Sequence, residues 1–283
     1  MEKRMLSPKE IAEATVKTGV AKANKTSLNL LLLGILAGAF IAFGSIGAIR
    51  MATLFKDPGA AKFMFAAVFP VGLMLVVLAG GELFTGNNLI TLALMKKEIG
   101  WKGLAKNWSL VYIGNLIGSL IMAWMVVESG LFGSLTPAGV EGKTFADVAV
   151  KIAHGKMGLT FSVAFIRGIL CNIIVVLAVW LMTGAKDMTG KIFACWFPVM
   201  LFVLSGYEHC IANMFFIPVA QMLEGSLNMV EMFTANVIPV TLGNIFGGGV
   251  IVPVFYYLIF LRDEKGQSIK SVEATSIKNG KAV

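Results

Sequence analysis

Charge is scarce in this chain. Asp, Glu, Lys and Arg make up 14% of its 283 residues, against roughly a quarter in an ordinary soluble domain. So little charge cannot clothe a water-facing surface, and 57% of the chain is hydrophobic. It therefore reads as a polytopic membrane protein without a sizeable soluble domain. Histidine is scarcer still, with His154 and His209 alone. Only His209 lies at membrane depth, so there is no His pair for haem and no His-Glu-x-x-His zinc motif. An intramembrane enzyme has neither that metal set nor an evident nucleophile with its base. Cysteine is limited to Cys171, Cys195 and Cys210. All three sit in apolar segments without zinc-type spacing or an obvious disulfide partner, and read as small buried residues. No cofactor and no metal are expected.

Acidic residues are also outnumbered, 16 to 24, giving a net charge of +8. The basic residues sit in loops and termini, where positive-inside topology puts them, so nucleic acid is not the expected partner. The first 27 residues are polar and contain Glu2, Glu10 and Glu13, which is unlike a signal-peptide n-region. Ser7-Pro8-Lys9-Glu10 has the form of a capping box with proline at the first helical position. It predicts a short surface helix running to about Lys22.

Six apolar segments are long enough to cross a bilayer, each needing about 20 residues. They cover residues 28–49, 63–95, 108–127, 159–183, 192–223 and 232–261. The second is broken around 80–88 and the fifth around 205–213. With the N-terminus inside, seventeen basic residues fall on the inner face and six on the outer. This predicts cytoplasmic termini: a surface helix over 1–27, a channel domain over 28–261 and a tail over 262–283.

The two halves resemble each other in three places. Gly34-Ile35-Leu36-Ala37-Gly38 matches Gly168-Ile169-Leu170-Cys171-Asn172. Glu82-x4-Asn87 matches Glu208-x4-Asn213. Gly114-Asn115-x-x-Gly118 matches Gly243-Asn244-x-x-Gly247. The offsets run from 126 to 134 residues. Three spans per half make the second half enter from the opposite face, so the repeat is inverted and its broken spans meet at the pseudo-two-fold axis. Irregular backbone at that depth must be buried or line a wet cavity. Glu82 and Glu208, with Asn87 and Asn213, are expected to be structural at the breaks, the carboxylates accepting from freed backbone groups.

Glu82-Leu83-Phe84-Thr85-Gly86-Asn87, Gly206-x-Glu208-His209-x-x-Ala212-Asn213-Met214 and Gly243-Asn244-x-x-Gly247-Gly248 together resemble the formate/nitrite transporter family, over nearly the whole chain. The resemblance implies an all-α membrane protein of six transmembrane helices in an inverted 3+3 repeat. It also implies an aquaporin-like fold, with the second and fifth spans broken. Members are homopentamers of an inner membrane, each protomer with a pore for small monovalent anions such as formate, nitrite or hydrosulfide. By resemblance, His209 is the central pore histidine, with the Thr85 hydroxyl near it. Leu73 and Phe202 narrow the cytoplasmic side, with Phe69 a neighbouring aromatic there, and Leu83 is the periplasmic apolar gate. Asn172 and Asn244 lie near the pore wall, and Lys156 is a basic residue of the outer vestibule. Overall likeness leans toward the hydrosulfide branch.

Physical chemistry supports the same centre. A neutral imidazole donates a hydrogen bond and can carry charge near physiological pH, so His209 could bind a passing anion or hand it a proton. Apolar constrictions exclude hydrated ions by dewetting. The alternative, a neutral-solute channel like those for water or glycerol, would call for paired Asn-Pro-Ala breaks, which the chain lacks.

Overall fold

The computed structural model describes residues 5–133, 144–226 and 228–262. The expected tail lies outside them but for Arg262. Among the described residues the regular structure is helical, with one isolated antiparallel bridge between Met5 and Ala185.

Helix α1 spans Pro8–Ala23, and its Ser7 and Glu10 form a reciprocal capping box. Helix α2, Ser27–Thr53, is capped by Thr26. Helix α3, Pro58–Gly80, starts at an Asp57 cap with proline at its first position. Helical structure resumes as α4 over 84–95. Then come α5, Trp101–Glu128; α6, Phe145–Met157, with a Thr144–Asp147 capping box; and α7, Phe161–Gly184, capped by Thr160. Helix α8, Met188–Leu204, is capped by Asp187, and α9, Cys210–Glu224, ends at a left-handed Gly225. The last, α10, is Met229–Leu261. Side-chain oxygens at these starts take amide hydrogens that a helix cannot satisfy itself.

Five helices (α2, α3, α5, α7 and α10) are long and apolar enough to cross a membrane, while α8 and α9 are apolar but shorter. Helical conformation lapses over 81–83 and over 205–209. Gly80 and Gly206 take φ of 96° and 76°, where a side chain would strain the backbone.

Helix α2 crosses α5, and α7 crosses α10, at glycines. A methyl group on Gly118 would overlap the Ile35 carbonyl, and one on Gly247 the Ile169 carbonyl. Small residues let membrane helices meet backbone to backbone. Helix α1 lies against the opposite ends of this frame, with Ile11, Ala12 and Val16 buried against Leu89, Leu92 and Trp180.

Candidate functional site

Both lapses in the helical backbone are held by matching side chains. At the first, the buried Glu82 carboxylate accepts from Lys22 Nζ and from Asn87 Nδ2, each at 2.8 Å. Lys22 also donates to Asn87 Oδ1 at 2.7 Å. Asn87 donates to Asn107 Oδ1 at 2.9 Å, and Asn107 donates to the Lys22 carbonyl at 3.2 Å. At the second, Glu208 accepts from Lys156 Nζ at 3.0 and 3.1 Å and from Asn213 Nδ2 at 2.7 Å. Asn213 donates to Asn236 Oδ1 at 2.6 Å, and Asn236 to the Lys156 carbonyl at 2.9 Å. A carboxylate at this depth is tolerated because a cation and amides surround it.

The freed backbone groups go elsewhere. Asn115 donates to the carbonyls of Gly34 and Glu82 at 2.8 and 2.9 Å and accepts from the Phe84 N–H at 2.9 Å. Asn244 does the same for Gly168, Glu208 and Cys210 at 2.8, 3.0 and 3.0 Å. This corrects the expectation for Glu82 and Glu208: their carboxylates take lysine and asparagine, not loop N–H groups. An amide both donates and accepts, so one asparagine serves carbonyls and an N–H together. The Glu82 N–H reaches the Leu33 carbonyl at 3.1 Å and the Glu208 N–H the Arg167 carbonyl at 3.3 Å. Lys22, Asn107 and Asn236 went unremarked as site residues. They were findable by extending the repeat register, since Lys22 stands 134 residues before Lys156 and Asn107 stands 129 before Asn236.

His209 caps α9. Its Nδ1 accepts from the Ala212 N–H at 3.1 Å, and its Nε2 lies 2.8 Å from Thr85 Oγ1. An Nδ1 that accepts carries no hydrogen, so the neutral ring bears its proton on Nε2 and donates it to Thr85. The threonine hydroxyl is then left with its own hydrogen to donate. In the shared register Leu83 stands opposite His209, and Ile211 opposite Thr85. The frame is therefore built with apolar residues at the equivalent positions, and the His–Thr pair is an addition to it.

A cavity of about 640 Å³ is lined by His209. Phe65, Phe69, Phe202, Phe216 and Tyr207 give it aromatic walls; Lys156, Glu208 and Arg167 also line it. Phe202 stacks 6.0 Å from the His209 ring, and Phe69 meets Phe202 edge-on at 5.9 Å. Lys62 and Lys151, which the topology puts outside, line this same cavity. Phe69 and Phe202 thus share a cavity with the lysines read as outer, Lys62, Lys151 and Lys156, which is at odds with the cytoplasmic placement expected of them.

The other sequence-derived residues fall outside the cavity lining. Thr85 is fully buried behind the histidine, and Leu73 and Leu83 lie in the apolar core. Asn244 is buried and holds backbone. Asn172 is also buried and donates to Asn88 Oδ1 and to the Asn244 and Thr85 carbonyls at 2.8, 2.8 and 3.2 Å. Asp147 also lines the cavity; it accepts from the Thr144 N–H at 2.8 Å, and this bond holds its carboxyl below the ordinary range.

Apolar helices around a charged vestibule with a buried histidine in its wall are the build of a membrane channel or carrier. The chain belongs to the formate/nitrite transporter family, whose model matches residues 9–258. It is 42% identical over 263 residues to the uncharacterized transporter YrhG of Bacillus subtilis, covering 92% of this chain and 96% of that one. It is 37% identical over 279 residues to the formate channel FocA of Escherichia coli, covering 92% and 96%. Its fold is similar to that of a pentameric formate channel with formate bound, at TM-score 0.73 and 38% identity over 83% of this chain and 98% of that one. These relatives are channels and transporters rather than enzymes.

Proposed function

We propose that this chain is a membrane channel or permease for small monovalent weak-acid anions, with formate first and nitrite and hydrosulfide in the same class. The observation that carries it is the His209–Thr85 pair, with His209 in the wall of a cationic, aromatic-walled cavity. Lys62, Lys151 and Arg167 raise the local anion concentration, while Lys156 is paired with Glu208. Phe69 and Phe202 strip water from an entering anion. A desolvated anion meets the His209 ring, which Thr85 orients from behind; a proton taken up from the cavity water and passed through the ring to the anion lets a neutral acid cross the apolar stretch at Leu73 and Leu83 and leaves the ring neutral again. Asn172 and Asn244 act from behind the pore wall by fixing its backbone.

The rest of the reading follows from the matched halves. Six spans form an inverted 3+3 aquaporin-like repeat in which the two lapses meet at the axis. The frame over 28–261 sits in a prokaryotic inner membrane with the 1–27 helix and the 262–283 tail in the cytoplasm. Five copies assemble, each with its own pore. The names of FocA and of the formate-bound structure favour formate over hydrosulfide as the first substrate to try.

The test is formate flux into proteoliposomes across a pH series, wild type against His209→Ala. A loss of flux or of its pH dependence in intact oligomers is expected. An unchanged flux and profile would remove His209 from conduction.

A further inference from the structure

Arg167 is the cavity's unexplained cation. It lies on α7, within the first two turns, and it lines the cavity with His209 and Lys156. Its main-chain carbonyl holds the Glu208 N–H, one residue before the histidine. That duty needs no arginine, because the equivalent Leu33 carbonyl holds Glu82 in the other half. The side chain is exposed and, among the described residues, makes no ion pair or hydrogen bond. Lys156, by contrast, is engaged by both oxygens of Glu208, so its charge is largely cancelled at short range. Lys62 and Lys151 line the same cavity but carry compact ammonium heads.

A guanidinium differs from an ammonium in shape. It is a flat fork that meets two oxygens of one anion at once, whereas an ammonium is a point charge. Carboxylates and nitrite offer two oxygens. Hydrosulfide and chloride offer one centre and gain nothing from the second arm. We propose that Arg167 is a specificity-determining residue of the vestibule, sorting two-oxygen anions ahead of single-centre anions before they reach His209. This rests on the channel reading above.

The experiment compares initial formate and hydrosulfide flux in proteoliposomes for wild type, Arg167→Lys and Arg167→Leu. The leucine variant copies the residue at the equivalent position, and the lysine variant keeps the charge, so the fork is tested apart from folding. Expected is a formate-to-hydrosulfide flux ratio lower by on the order of tenfold in Arg167→Lys, the low end of the scale of one charge-assisted hydrogen bond. Arg167→Leu should lower the ratio at least as far. An unchanged ratio in both variants would overturn the proposal and leave a side chain that snorkels to lipid headgroups. If wild type passes neither anion, the channel reading itself fails and this inference falls with it. Passage of formate by wild type with unaltered ratios in the variants sinks the role of Arg167 alone.

Discussion

His209 and Arg167 occupy positions where the other half of the chain has Leu83 and Leu33. The residues that repeat between halves, Glu82 with Glu208, Asn87 with Asn213 and Asn115 with Asn244, all hold backbone or one another. His209 and Arg167, which differ, line the cavity, and Thr85, which differs too, bonds His209. Side chains common to both halves therefore belong to the frame, and departures from the repeat mark chemistry. Asn115→Ala and Asn244→Ala should each destabilise the folded protein by about 2–4 kcal/mol, from three lost bonds and the polar groups left buried. Thermal unfolding in micelles checks this, and the two variants should match to within about 1 kcal/mol. A near-neutral Asn244→Ala would deny it the role of backbone anchor. Lys22→Ala strands the buried Glu82 carboxylate and should cost about 1–3 kcal/mol, discounted because Lys22 keeps part of its side chain in water. Adding Glu82→Gln to that variant should recover part of the loss.

Helices α1, α2, α3, α6, α7, α8 and α10 start at a side-chain oxygen cap, and α2 with α5 and α7 with α10 cross at glycines. Gly118→Val would drive a branched side chain into the α2 backbone at Ile35. The yield of folded oligomer should collapse, as read by size-exclusion profile, whereas substitution of the exposed Ile121 should leave it intact. At α6 the capping box has a pH signature. The Thr144 N–H bond lowers the Asp147 carboxyl in the folded protein, so its contribution is present above the unfolded carboxyl's pKa and is lost as pH falls through the lower, folded value. Protection from hydrogen exchange at the start of α6, taken relative to the intrinsic rate at each pH, should fall below about pH 4, and Asp147→Ala should lower it at neutral pH. The same protection at both pH values would contradict the cap. Serine, proline and glutamate at the head of α1 made that helix legible from sequence, because the capping box is local. The lysine that α1 delivers to Glu82 is legible only through its register with Lys156, because Lys22 and Glu82 are 60 residues apart and only packing joins them.

The whole molecule is two similar frames with one unlike seam. Hydropathy exposed the apolar helices, five of them long enough to cross a membrane, and the Glu-x4-Asn pairs stand at the lapses in the helical backbone, since charge in an apolar run is easy to see. That Phe69 and Phe202 share a cavity with Lys156 was hidden, because ring orientation depends on how α3 and α8 pack around the seam. Topology can be read directly: all three native cysteines are buried, so a cysteine placed near residue 281 is a clean reporter. It should react with an impermeant thiol reagent only after the membrane is opened; reaction in intact cells would reverse the orientation.

The most direct measurement is flux of formate, nitrite, hydrosulfide, chloride and glycerol through the wild-type oligomer in sealed proteoliposomes. Rapid passage of the weak-acid anions, with formate foremost and with chloride and glycerol held back, is the expected result. Passage of glycerol, or of chloride as fast as formate, would contradict a pore in which a desolvated weak-acid anion meets the His209–Thr85 pair.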